Sequence, residues 1–102
     1  MYRRVKTEGR SIRKPPLIMR HLSAENILES RLGFVVRKRT GHAPMRNSIR
    51  RTLRESFRSA LADFSRPAWV VFDVMDNAAQ FPRRTLRENA GVLLATLTGK
   101  AP

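Results

Sequence analysis

Four arginines, Arg46, Arg50, Arg54 and Arg58, recur every four residues in the segment PMRNSIRRTLRESFR. On a helix of 3.6 residues per turn, each such step advances about 6 Å and rotates about 40°, so the four form a slowly winding ridge. A guanidinium presents a planar fork of donors that matches phosphate oxygens, and a ridge at this spacing suits a phosphate backbone. The apolar row Ile49, Leu53, Phe57 and Leu61 winds the same way about 60° to one side, so burying it would hold the arginines at the margin of the contact. Basic helix faces are ordinarily just solvated. Here, however, Glu55 is the only acid between Arg46 and Arg58. Each like-charged i,i+4 pair costs an isolated helix a few tenths of a kcal/mol, and an anionic partner would offset that cost.

A second basic group, Arg37, Lys38 and Arg39, closes the run RLGFVVRK immediately before the turn that leads into this helix. The two groups are therefore expected to form one patch, beside a helix N-terminus that itself favours phosphate. The charge of the whole chain points the same way. Of its 102 residues, 21 are Lys or Arg and 8 are Asp or Glu, a net charge of +13. Residues 1–58 hold 16 of these cations and 4 of the acids, a net of +12, which leaves +1 for residues 59–102. Such crowding works against a compact fold through self-repulsion and implies a polyanionic partner, with nucleic acid ahead of an anionic membrane.

Other chemistries find little support. There is no cysteine, which removes disulfides, thiolate metal sites and cysteine nucleophiles and fits a reducing cytoplasm. His21 and His42 are the only histidines, and Asp73 with Asp76 the only close acid pair in a strand context. No phosphate loop, catalytic triad or metal-spacing motif is present, so catalysis by the chain itself is not expected, nor is a bound metal. No apolar stretch approaches the ~18 residues of a membrane span, and the basic start lacks the apolar middle of a secretory signal. A soluble, cytoplasmic protein without membrane association is the expectation.

The elements that must position the arginines can be read from periodicity. A single domain over residues 1–102 is expected at this length. Residues 2–6 read as the end of a helix stopped near Gly9, and residues 11–14 as a short extended piece. Residues 17–22, after Pro15 and Pro16, read as a strand, and residues 26–30 as its connection. Residues 31–38 form a second strand with Leu32, Phe34 and Val36 on one face. Pro44 suits the start of a helix over residues 44–64, to which Ala60 and Phe64 add core contacts. Residues 68–75 read as a strand covered on both faces, with Trp69 in the core. A last helix over residues 83–97 places Leu86, Ala90, Leu93, Leu94 and Leu97 on one side. The hexapeptide RRTLRE occurs at residues 50–55 and 83–88, but its flanks differ, so shared helix-favouring composition explains it better than duplication. A helix-turn-helix DNA binder fits less well because strands lead into the basic helix. A membrane-surface helix fits less well because the apolar row has sheet to bury it.

RLGFVVRKRTG followed by PMRNSIRRTLRESFR resembles the bacterial ribonuclease P protein component: a strand ending in basic residues, a glycine turn and a helix centred on Arg-Asn. The strand PAWVVFDV and the closing leucine-bearing helix follow in that family's order, while the match before Gly9 is thin. The resemblance implies an α/β (α+β) sandwich: a small mixed sheet of about four strands with helices packed on it, a left-handed β-α-β crossover and a shortened first helix. It implies an accessory subunit of an endoribonuclease whose catalytic RNA, with Mg²⁺, removes the 5′ leader of precursor tRNA, one protein to one RNA. Arg46, Asn47, Arg50, Arg51 and Arg54, with Arg37, Lys38, Arg39 and Arg58, would face the RNA, and Tyr2, Phe34 and Val36 would line a cleft for the leader. His42, Pro44 and Ser48 depart from the family pattern, which commonly has lysine, a β-branched residue and arginine there. The competing reading is a structural RNA-binding protein, such as a ribosomal protein, with no part in cleavage.

Overall fold

The computed structural model describes residues 1–99 and runs α1 (Tyr2–Glu8), β1 (Arg10–Lys14), β2 (Leu17–Leu22), β3 (Arg31–Val36), α2 (Ala43–Leu61), β4 (Trp69–Val74) and α3 (Arg83–Ala95). Short 3-10 turns, Lys38–Thr40 and Asp76–Gln80, precede α2 and α3. The strands form one mixed sheet in the order β1-β2-β4-β3. β1 pairs antiparallel with β2, and β2 with β4, whereas β3 and β4 run parallel from Arg31↔Trp69 to Val36↔Val74. Parallel neighbours need a crossover, and α2 supplies it.

Because side chains alternate along a strand, the sheet has two apolar faces. On one, Leu17, Met19, Val70, Phe72 and Val74 pack against Ile49 and Leu53 of α2 and Leu86, Leu93 and Leu94 of α3. On the other, Val71 and Leu22 meet Val5 of α1 and Ile27 of the β2–β3 connection, with Val35 and Trp69 partly buried beside them. β4 is thus covered on both sides, as its near-continuous apolar run requires.

Boundaries differ from the periodic reading in ways the packing explains. β3 ends at Val36 because its partner β4 ends at Val74, and Lys38–Thr40 turns toward α2 instead of extending the strand. α2 ends at Leu61, not at residue 64. Leu61 is exposed, while Phe64 has left the helix, pairs with Thr98 and sets its ring edge-on to Phe57 at 5.6 Å. α3 ends at Ala95, with Leu97 partly buried in the turn beyond. Trp69 is only partly buried, and the Arg4 guanidinium lies 5.5 Å from its ring centre.

Candidate nucleic-acid interface

α2 is anchored by Ile49, Leu53 and Phe57, all buried, and this fixes where its arginines stand. Arg46 is half-buried and its Nε has no hydrogen-bond partner among the described residues. Arg50 Nη1 donates to Asn47 Oδ1 at 3.0 Å, which ties the Arg-Asn pair into one unit. The Arg54 guanidinium lies 5.6 Å from the centre of the Phe34 ring, within cation–π reach. Arg51, Arg54 and Arg58 are exposed. The ion pairs of the described residues involve Arg4, Arg20, Arg31, Arg37, Arg39 and Arg84, and none uses an arginine of α2. Asn47 and Phe34 thus seat Arg50 and Arg54, while the charge of the ridge has no acid partner among the described residues.

The second basic group behaves differently. Arg37 Nη1 donates to Asp73 Oδ1 at 2.9 Å, and that hydrogen bond, with the carboxylate charge, raises the Arg37 pKa further. Arg39 pairs with Asp76 at 3.3 Å. Lys38 is exposed in the turn before α2. Two of these three cations are thus matched by acids of β4 and the turn after it, and the open charge is concentrated on α2.

Tyr2, Phe34 and Val36 do not share a surface. Phe34 and Val36 point to the face that carries α2 and α3, where they pack on the main core. Tyr2 belongs to α1 on the opposite face, and its hydroxyl accepts a hydrogen bond from the Phe34 backbone N–H at 3.2 Å. The strand alternation sends residue 34 away from α1, and Val35 takes the place beside Tyr2. A cleft of about 190 Å³ on the α1 side is lined by Tyr2, Lys6, Arg20, Val35, Arg37 and Asp73. Gly33 lets α1 approach the strand beside the cleft: a Cβ there would lie 2.6 Å from the Tyr2 hydroxyl.

Two arginines enter the site that the helical spacing of α2 does not include. Arg20 of β2 reaches Asp73 at 3.6 Å inside the cleft. Arg83, at the start of α3, donates from Nε to Ser48 Oγ at 2.9 Å and also contacts the Met45 sulfur, so it joins the α2 surface one turn from Arg51. Ser48, where an arginine would be expected, thus seats a guanidinium from the neighbouring helix. The second RRTLRE copy, placed on a helix that packs against the first, was the available signal. Among the described residues no three His, Asp or Glu side chains are grouped to hold a metal ion, and no helix is long and apolar enough to cross a membrane.

Fold and surface define a small basic α/β protein with an arginine ridge on the crossover helix between parallel strands. The sequence profile of the family described as Ribonuclease P matches residues 1–98, and the chain belongs to that family. The "Ribonuclease P protein component" of Gluconacetobacter diazotrophicus is 38% identical over 55 residues, covering 54% of this chain and 47% of that protein. The match thus spans about half the length of that curated relative. The RNase P protein of Staphylococcus aureus superposes with a TM-score of 0.84 at 20% identity, covering 96% of this chain and 91% of the other. That of Thermotoga maritima gives 0.80 at 24% identity, with 96% and 92% covered. These two likenesses establish the mixed four-stranded α+β fold.

Proposed function

We propose that the chain is the protein subunit of a ribonuclease P, binding the catalytic RNA one-to-one through α2 and assisting it to remove the 5′ leader of precursor tRNA in the cytoplasm. The observation that carries this reading is the α2 ridge, in which Asn47 seats Arg50 and Phe34 seats Arg54 while no acid among the described residues pairs with any of its arginines. Fixed, uncompensated guanidinium groups bind phosphates with little ordering cost and release condensed counterions from the RNA. Arg46, Asn47, Arg50, Arg51 and Arg54 form the centre of this contact, with Arg58 toward the end of α2 and Lys38 before its start.

The leader is assigned to the cleft beneath α1. Tyr2 offers a ring on which a base can stack at about 1–3 kcal/mol whatever its identity, and Lys6 lies beside it for a phosphate. Phe34 serves the other face by seating Arg54, and Val36 is part of the core there. Bond cleavage is assigned in this reading to the RNA and its Mg²⁺, and the part of the chain is to bind and position the two RNAs. By neutralising phosphates where two RNAs approach, the protein lowers the Mg²⁺ needed for substrate binding.

The test is cleavage of precursor tRNA by the cognate catalytic RNA at low Mg²⁺, with and without the chain. Stimulation is expected, together with tighter binding of substrates that carry a leader. Lack of stimulation, with binding to ribosomal RNA instead, would assign a structural role, and cleavage by the chain alone would place catalysis in the protein.

A further inference from the structure

At the end of the sheet opposite the start of α2, the β1–β2 ladder sets Arg10 directly across from His21. Residues so paired place their Cβ atoms about 4.5–5.5 Å apart on one face, where like charges repel. Arg66, from the segment entering β4, and Ser23 join them around a cleft of about 290 Å³, closed on its far side by Thr96 and Leu97 after α3. That volume is near the lower end of the roughly 300–1,000 Å³ of ligand clefts. The charged groups lining the cleft around His21 are Arg10 from β1, Arg66 and Glu8 from α1, while β4 offers Val70 and the end of α3 no charge. Glu8 is engaged by Arg4 at 3.2 Å. Arg10 and Arg66 are exposed and take part in none of the ion pairs of the described residues.

We propose that this cleft is a second phosphate site, which receives a phosphodiester of an RNA strand between Arg10, Arg66 and His21. The assignment to RNA rests on the chain being an RNA-binding subunit, and the cleft's chemistry would accept a free phosphate as well. An anion here relieves the cross-strand repulsion and stabilises the protonated imidazole, so affinity rises as the pH falls through the titration of His21. Burial first, and Arg10 second, hold His21 below the usual histidine range without a ligand, which leaves room for that upward shift.

The chain has two histidines, so NMR titration of the full-length protein reads His21 directly, with His42 reporting the start of α2 independently. Titrations are run in chloride, with inorganic phosphate, and with a short single-stranded RNA. The RNA is expected to raise the His21 pKa by at least about half a unit, a threefold preference for the protonated form. Arg66→Ser is expected to remove this shift while Arg50→Ala with Arg54→Ala retains it. No shift in any arm, or a shift that survives Arg66→Ser, overturns the site; a shift with inorganic phosphate but none with RNA overturns the RNA assignment. Arg10→Gln gives a check that needs no ligand, since removing the facing charge should raise the His21 pKa in chloride, and an unchanged value would contradict the cross-strand geometry. Should the Arg50/Arg54 variant bind the catalytic RNA like the parent, the subunit reading fails while a His21 shift still establishes the cleft.

Discussion

The guanidinium of Arg37 donates to the carboxylate of Asp73 at 2.9 Å, joining the residue after β3 to the central strand β4. Arg20 approaches the same carboxylate from β2 at 3.6 Å, so a single acid restrains two cations on the floor of the cleft beneath α1. The Asp73 side chain is 14% exposed and that of Arg37 43%, so solvent screening keeps the contribution to stability small. Asp73→Ala is expected to cost on the order of 1 kcal/mol in thermal or urea unfolding. The same change frees Arg20 and Arg37, beside Lys6, for phosphate. Single-strand RNA binding should therefore strengthen at low salt, with a salt slope steeper by about 0.7 for each further phosphate that the freed cations neutralise. Equal slopes in parent and variant would show that the cleft does not meet the RNA backbone.

On α2, Arg50→Ala with Arg54→Ala removes one arginine held by Asn47 and another seated on Phe34. Both side chains lie off the buried stripe, so folding should change little. Binding of the catalytic RNA should weaken and its log–log salt dependence flatten by about 0.7 to 0.9 for each phosphate no longer neutralised. Equilibrium binding across a salt series measures this, and an unchanged slope removes α2 from the interface. Phe34→Leu is the subtler companion. It keeps an apolar side chain on the core but takes away a cation–π contact worth about 0.5 to 1 kcal/mol from beneath Arg54, so RNA affinity should fall by less than in the double arginine variant.

The α2 ridge was legible because periodicity and charge agreed: Ile49, Leu53 and Phe57 are buried where a four-residue spacing puts them, and the arginines beside them carry no acid. Strand positions were legible for the same reason, since apolar runs bounded by proline, glycine and acids leave few alternatives. Side-chain partners across the sheet were not. That Asp73 binds Arg37 depends on β3 lying beside β4 in parallel register, and that Tyr2 and Phe34 lie on opposite faces depends on which face α1 covers. Neither arrangement leaves a trace in local spacing. Leu61 fits the apolar row but lies exposed at the last residue of α2, and only the packing shows where the row runs out.

Arg83 gives a third prediction, because its hydrogen bond to Ser48 bridges α3 to α2 and adds a cation to the α2 surface. Arg83→Gln should lower the salt slope of RNA binding by about 0.7 to 0.9, the amount expected for one phosphate. It should also destabilise the fold by about 1 kcal/mol through the lost inter-helix hydrogen bond. Arg83→Lys separates the two effects: a compact ammonium keeps the charge, and so most of the slope, but loses the planar fork that reaches Ser48 and Met45 together. If both variants lose stability while the slope stays put, Arg83 is a helix tie and nothing more.

His21 makes stability depend on pH in a direction that can be stated beforehand. Desolvation, then the facing Arg10, lower its pKa in the folded protein below the 6.5 of an unperturbed histidine. As the pH falls from neutrality, the unfolded chain therefore takes up the His21 proton before the folded one, and unfolding is favoured between 6.5 and the lower native value. The stability present above this window is lost progressively within it and levels off below it, until carboxylates begin to titrate near about pH 5. Urea unfolding in chloride buffer at closely spaced pH values measures the slope, and His21→Gln should flatten it in that window while leaving the values near neutrality little changed. Phosphate should reverse the trend in the parent protein, because an anion between Arg10, Arg66 and His21 favours the protonated folded state. A parent slope that matches that of His21→Gln in chloride would mean that His21 is as well solvated in the fold as in the unfolded chain.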